Sequence, residues 1–200
     1  QKEDREKPVL KEGLEKDLGW AFESALPKGA HYHVQVDNLG ENSSPIVITQ
    51  SEFMRRYREM SALGGGMNFY GTMPESYNIT LNCQNPLIKS IMNDLEGQTA
   101  SEVATLENKM SIADKSLKVV EERIKDQKPE EVSTADKDEK EKFSREIEQI
   151  NNDRKVVMEK FAAENTLLHQ VVDLALLSNN MLKGKELSDF IKRSLDILKK

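Results

Sequence analysis

The sequence predicts an α+β fold: a small three-stranded mixed sheet with flanking helices, a long antiparallel helical hairpin inserted into it, and a C-terminal two-helix dimerisation unit. Three segments have the alternation or the β-branched content of strands: 31–36, 45–49 and 77–81. Apolar residues recur every three or four positions between Val103 and Phe161, with one polar break, as in a coiled-coil hairpin. Residues 161–198 have the pattern of two apolar helices.

Composition narrows the class of protein. The chain has 200 residues, of which 32% are charged and 37% hydrophobic, which suits long solvated helices. A net charge of -6 argues against a general nucleic-acid binder, because phosphate contacts need a basic surface. No run approaches the length of a membrane span. The single cysteine, Cys83, excludes an intrachain disulfide and fits a reducing compartment, so we expect a cytoplasmic protein.

The first segment predicts a linker followed by a helix. The chain begins at Gln1 in a charged run without methionine, and we interpret it as a fragment of a longer protein with a tail at 1–7. Pro8 suits the first position of a helix, and an apolar stripe then continues to Ala25. Gly19 lies within this stripe at some cost in helix stability.

An amphipathic helix is predicted after the second strand. In the first strand Val34 and Val36 share one face. Ser51 is a suitable N-cap for a helix over 52–63, which three glycines end. Its apolar positions form a stripe that either packs inward or contacts varied partners, since methionine adapts to many surfaces: Phe53, Met54, Tyr57, Met60 and Leu63.

The hairpin follows the third strand. A turn at 82–87 leads into a helix expected to end near Leu95, before the coiled-coil pattern begins. Pro129 separates the two arms, and Arg154 falls on the second arm's apolar seam. The second arm is expected to continue without a break into the penultimate helix.

The last two helices are the predicted dimer interface. Lys183 and Gly184 are expected to end the penultimate helix as a cationic last turn and a C′ glycine, and Arg193 to lie on the solvated face of the last helix. A helical hairpin that closes its own core and an intermolecular four-helix bundle need the same apolar pattern. Periodicity therefore does not decide between these two arrangements. The interface residues predicted are apolar: Val171, Leu174, Leu177, Phe190, Ile191, Leu195 and Leu198.

These patterns divide the chain into four parts. The predicted parts are a tail at 1–7, an α/β subdomain at 8–96 that contains the helix 52–63, a hairpin insertion at 97–163, and a helical dimerisation region at 164–200.

Several stretches together resemble the C-terminal dimerisation domain of the ninety-kilodalton heat-shock chaperones of the bacterial HtpG type. Pro45-Ile-Val-Ile-Thr49 and Asp173-Leu-Ala-Leu-Leu177 occur in the family's order. The run 82–88 is similar to the family's Asn-Pro-Asp-His-x-Ile-Ile at Asn82 and at Leu87-Ile88, and departs from it between them. The hairpin has no counterpart in the basic family pattern.

The resemblance implies a function. The parent would be an ATP-driven chaperone of protein folding in the stress response, with ATP and Mg²⁺ bound in an N-terminal domain outside this sequence. The fragment itself would be no enzyme and would hold no cofactor or metal. It would form a homodimer through its last two helices. The helix 52–63 would contact unfolded or partly folded client proteins.

Other hypotheses come from different classes. A structural adaptor would bind a protein partner through the hairpin and use the α/β part as an anchor. An enzyme would need Cys83 or His31, but no acid, base or nucleophile clusters with them at motif spacing. His31 and His33 share one face of a strand without a neighbouring third ligand, so a closed zinc site is not expected. The glycines at 64–66 lack the Lys-Ser/Thr of a phosphate loop.

Overall fold

The computed structural model describes residues 10–56, 75–128 and 131–199. The predicted helix start at Pro8 lies outside these residues, as do Tyr57, Met60 and Leu63 of the amphipathic helix. The chain divides into two compact units: Gln1–Asp94 together with Ala162–Lys200, and Leu95–Phe161.

The first unit contains a three-stranded mixed sheet, which confirms the predicted fold class. Its strands are β1 (His31–Asp37), β2 (Ile46–Gln50) and β3 (Ser76–Asn82), in the order β1-β3-β2. β1 pairs with β3 in parallel, and β2 pairs with β3 antiparallel.

The register gives the sheet one buried side. Ile79 lies opposite both Val34 and Ile48, so one cross-strand row is aliphatic. The predicted shared face of Val34 and Val36 is confirmed, because Val36 is buried and Val34 half-buried while His31 and His33 are exposed.

Helix α1 (Leu14–Ser24) starts later than the sequence predicted. Leu10 lies before the helix, and Gly13 precedes it with φ 83°, a left-handed angle that an α-helix does not contain. The four apolar residues that α1 buries follow helical spacing: Leu14, Leu18, Ala21 and Phe22.

Helix α2 (Pro86–Ile124) is one continuous helix of 39 residues. The predicted end near Leu95 is therefore wrong. A change from apolar to charged composition alters what a helix packs against but leaves its backbone hydrogen bonds intact. Gly97 is tolerated within it, at a cost of about 1 kcal/mol relative to alanine. At the start, the Asn85 side chain accepts a hydrogen bond from the Leu87 amide at 3.0 Å, and Pro86 takes the first helical position.

The second unit is an antiparallel pair formed by α2 and helix α3 (Thr134–Glu164). Leu106, Ala113 and Ile150 form its buried cluster. An ion pair reports the antiparallel direction of the helices, because Arg123 near the end of α2 meets Asp136 near the start of α3 at 2.8 Å. Arg154 lies on the predicted apolar seam and pairs with Glu107 at 3.2 Å, at a point of the hairpin farther from the turn.

The second arm ends before the penultimate helix, which corrects the prediction of one continuous helix. Helix α4 (Thr166–Ser178) is a new element whose N-cap, Asn165, has extended backbone angles. The Asn165 side-chain oxygen accepts a hydrogen bond from the Leu168 amide at 2.8 Å. An asparagine in this role satisfies a helix-start amide that would otherwise lack a partner, so it starts a helix where the apolar pattern alone suggests none.

The end of α4 also differs from the prediction. Asn180, with φ 56°, takes the left-handed position. The Asn180 amide donates to the Leu177 carbonyl at 3.0 Å and the Met181 amide to the Leu176 carbonyl at 2.9 Å, which is a Schellman motif. Gly184 instead begins helix α5 (Gly184–Leu198), so the predicted cationic last turn and glycine cap at 183–184 are wrong.

The core of the first unit lies between the sheet, α1 and α4. Phe22 and Leu26 from the α1 segment, and Val172 and Ala175 from α4, surround the same small apolar space as Ile46 and Ile79 of the sheet. Within the described ranges, none of the helices has the length and apolar content required to cross a bilayer.

Candidate interaction surface

The two C-terminal helices present a half-exposed apolar surface. Leu174 and Leu177 of α4 are 45% and 37% exposed, and Ile191 and Leu195 of α5 are 49% and 52% exposed. Their spacings of three and four place each pair on one side of its helix. We call these four residues the apolar face.

Two of the remaining predicted interface residues, Val171 and Phe190, have less free surface than these four. Val171 is 2% exposed and packs within the single chain, where it lines a groove beside β2. Phe190 is half-buried. The side chain of Leu198 lies outside the described part of the structure. The interface itself therefore stays a prediction.

Polar contacts connect α5 to α4. The Arg193 guanidinium donates to the Asp173 carboxylate, and the Gln170 amide donates to the Ser194 hydroxyl at 2.7 Å. The prediction that Arg193 lies on the solvated face is wrong, because Arg193 is half-buried against Asp173. The arrangement fixes α5 on α4 without covering the apolar face.

Burial shifts the pKa values of the ionisable groups in this contact. The pKa of His169 is lowered, mainly by loss of hydration and then by the nearby Arg193 charge. The pKa of Asp173 is raised, because burial disfavours the carboxylate more than Arg193 stabilises it. Both groups, with Arg193, line a cavity of about 300 Å³ beside the α1–β1 connection. The contact is thus sensitive to protonation.

The amphipathic segment is described only at its start. The Ser51 hydroxyl accepts a hydrogen bond from the Met54 amide at 3.3 Å, the geometry of the predicted N-cap. Phe53 is 65% exposed and Met54 is half-buried. The other predicted client-contact residues lie outside the described part, so that surface stays a prediction.

The histidine and cysteine candidates do not come together. His31 and His33 are exposed on β1, whereas Cys83 is buried after β3. Burial raises the pKa of the Cys83 thiol, which disfavours the reactive thiolate. Over the described residues, no group of three or more His, Cys, Asp or Glu side chains is arranged to hold a metal ion.

Two polar residues have roles that periodicity did not predict. Asn82 is fully buried. Its side-chain NH2 group donates to the Gly40 carbonyl at 2.8 Å, and its side-chain oxygen accepts a hydrogen bond from the Leu39 backbone amide at 3.1 Å. It therefore organises the loop between β1 and β2. Asp173 is the one carboxylate in the apolar sequence of α4. Its place there could have indicated a buried partner, because a carboxylate on a buried helix needs a compensating charge.

Comparison with characterised proteins gives a consistent relationship. The chaperone protein HtpG of Bacteroides thetaiotaomicron is 37% identical over 199 residues, which cover 98% of this chain and 29% of that protein. HtpG of Bacteroides fragilis is 36% identical over the same shares. HtpG of Porphyromonas gingivalis is 36% identical over 202 residues, again 98% and 29%. The chain thus spans less than a third of the length of these relatives. No protein-family model matches it, and no solved structure matches it significantly.

Proposed function

We propose, from the premise that this chain is a relative of the C-terminal part of the HtpG chaperones, that it is the homodimerisation and client-contact region of an ATP-dependent chaperone. In this proposal two copies associate through α4 and α5. Unfolded or partly folded proteins contact the segment that begins at Ser51. The parent protein assists folding in the stress response.

The apolar face is the observation that supports the dimer. Its four side chains are 37–52% exposed in the single chain. Isolated exposed leucines are common, but two exposed aliphatic pairs on helices that contact each other are more than scattered single residues, and in this proposal they form one patch that binds a partner. A second copy supplies the same patch, because a two-fold interface is formed by one surface on both chains.

The free energy available is moderate. Covering the exposed parts of the four side chains on both chains would contribute roughly 5–11 kcal/mol, taking about 1.5–3 kcal/mol for each fully buried side chain. Association costs on the order of 4–15 kcal/mol. Further contacts, for which half-buried Phe190 is available, are therefore part of the proposed interface.

The client-contact proposal is supported by Phe53. Its side chain projects 65% exposed from the first turn after the Ser51 cap, beside the half-buried Met54. An exposed aromatic side chain next to methionine suits binding to apolar segments of varied shape.

The proposed chemistry of this region is binding alone. The resemblance assigns ATP and Mg²⁺ to an N-terminal domain of the parent, so we expect the isolated chain not to hydrolyse ATP. The proposed compartment is the cytoplasm, on the grounds of a single cysteine, Cys83, that is buried as a free thiol.

Light scattering on the 22.8 kDa chain at micromolar concentration tests the dimer. The unmodified chain is expected at twice the monomer mass. Ile191→Asp with Leu195→Asp is expected to yield monomers, because the interface would bury unpaired carboxylates.

A matched control comes from the hairpin. Ile112 and Val119 are 66% and 60% exposed, so Ile112→Asp with Val119→Asp makes the same chemical change elsewhere. The control is expected to remain dimeric. A monomeric unmodified chain would contradict the proposal. If the hairpin variant alone lost the dimer, the interface would lie on the hairpin.

The adaptor function remains the second candidate. Ile112 and Val119 are seven residues apart and lie on the same outward side of α2, where a helical partner would find an apolar strip. Capture of one defined protein by the unmodified chain, but not by the hairpin variant, would favour this function.

A further inference from the structure

A groove of about 640 Å³ lies between α1 and β1 in the first unit. One wall is the outer side of α1 as far as Glu23, together with Glu12 and Gly13 just before the helix, and the other is Tyr32 to Val34 of β1. Its lining includes none of the residues of the apolar face and none of residues 51–56. The proposed function does not use it.

The groove carries an excess of negative charge. Glu12, Glu15 and Glu23 line it and are exposed, whereas the one lysine that lines it is Lys16. Exposed carboxylates on one wall attract cationic groups and repel anionic ones. The charge therefore selects for a basic occupant.

Aromatic rings supply a second feature that suits cations. Trp20 lines the groove, and the Lys16 ammonium lies 4.7 Å from its ring centroid, so the indole face already receives a positive charge. Tyr32 lines the opposite wall and stacks on Tyr77 with ring centroids 5.9 Å apart. Burial and the neighbouring Glu75 raise the pKa of Tyr32, which keeps the phenol neutral.

Gly19 leaves space for close approach to α1. It lies inside the helix and lines the groove, yet a Cβ added there would meet none of the described residues within 4 Å. Glycine is an unfavourable residue inside a helix, and the packing of the part of the chain that the structure describes does not require it here. A glycine of this kind permits the backbone of another segment to come close.

The strand wall offers main-chain hydrogen bonds. β1 is an edge strand, because β3 is its single neighbour among the strands that the structure describes. One side of an edge strand has a row of N–H and C=O groups that an extended peptide can pair with. A groove between an edge strand and a helix favours such a peptide over a helix or a small molecule.

From this juxtaposition we propose that the α1–β1 groove binds an extended peptide segment of a partner protein that is rich in Arg and Lys. The peptide backbone pairs with the edge of β1 and passes Gly19. Its cationic side chains contact the indole of Trp20 and the carboxylates of Glu15 and Glu23.

The one tryptophan of the chain makes the test direct. The probe is a ten-residue peptide in which Arg or Lys alternates with Thr, titrated into the full 200-residue chain while Trp20 emission is recorded. We expect a saturable change in emission that weakens as salt is added. Two comparison peptides have Glu at every basic position, or N-methyl groups on all of their backbone amides with the charges kept. Neither is expected to bind, since the first lacks the charge and the second the donors.

Two variants locate the site. Glu15→Gln with Glu23→Gln is expected to weaken binding about fivefold, from the loss of two exposed ion pairs. The control, Glu146→Gln with Glu148→Gln, changes the net charge equally at exposed positions of α3 and is expected to bind normally. Gly19→Ala is expected to raise the melting temperature while weakening binding, a combination that misfolding does not produce.

The proposal is overturned by any of four results: no saturable change with the basic peptide, equal binding of the acidic peptide, equal loss in the two glutamate variants, or unchanged binding by the Gly19→Ala protein. Equal binding of the N-methylated peptide would overturn the pairing with β1.

Discussion

At the scale of the residue, Asn180 determines where α4 ends. It holds φ 56° while its amide and that of Met181 close the last turn of the helix. Asparagine tolerates this angle better than most residues, and glycine tolerates it best. The sequence Asn179-Asn180 therefore encodes a helix end in which Asn180 takes the left-handed position, four residues before the glycine that the pattern favoured.

Replacement of Asn180 by alanine and by glycine should have different effects on stability. Asn180→Ala is expected to lower the free energy of unfolding by about 1 kcal/mol, because a Cβ without a compensating side chain is strained at positive φ. Asn180→Gly should leave stability equal or raise it by a few tenths. The midpoint of urea unfolding measures both; equal losses in the two variants would show that the asparagine side chain, and not φ, is what matters.

His169 predicts a dependence of stability on pH. Because burial and Arg193 lower the pKa of His169 below its ordinary 6.5, the unfolded chain binds a proton at higher pH than the folded chain. Stability therefore falls as pH is lowered from about 7.5 to about 5.5. Asp173 acts in the opposite sense above its ordinary 3.8, since its pKa is raised.

His169→Gln is expected to reduce the fall in melting temperature over that pH range, since glutamine does not titrate. His31→Gln, at an exposed position on β1, is the control and should keep the fall unchanged. A fall of the same size in the His169 variant would show that other groups produce it.

At the scale of the element, the hairpin has its own buried cluster. Leu106, Ala113 and Ile150 pack with Met110, Ile147 and Val157, all within Leu95–Phe161. The first unit has a contact near the two points where the hairpin leaves it, because the Asn165 amide donates to the Asp94 carboxylate at 3.5 Å. A short linker is therefore long enough to close the chain.

Replacement of residues 95–161 by a short Gly-Ser linker should leave a folded first unit. We expect a cooperative thermal transition and the dimer mass of the unmodified chain, because the sheet, α1 and α4 keep their shared core. Circular dichroism and light scattering check both. Loss of the transition with a short and a long linker alike would show that the hairpin is needed for folding.

At the scale of the whole molecule, association should contribute to stability. If α4 and α5 form the proposed interface, the melting temperature of the unmodified chain rises with protein concentration, since binding favours the folded state. A rise of roughly a few degrees is expected per hundredfold in concentration. The Ile191→Asp, Leu195→Asp protein should melt at one temperature throughout. A rise of equal size in that variant would place the interface elsewhere.

The sequence by itself determined the elements that depend on local spacing. Alternation gave the three strands, and the three-four repeat gave the hairpin, because side-chain direction along a strand or helix follows from backbone geometry alone. The amphipathic helix start at Ser51 is local in the same way. These features need no knowledge of distant residues.

Only the tertiary structure decided which apolar and charged positions are covered. Val171 and Leu174 are less than one helical turn apart in the same apolar stripe, yet one is 2% and the other 45% exposed. Arg193 likewise meets Asp173 and not solvent. Periodicity gives the faces of a helix but not its neighbours. Burial of α4 depends on β2, more than a hundred residues earlier, and pairing of Arg193 depends on how α5 returns along α4.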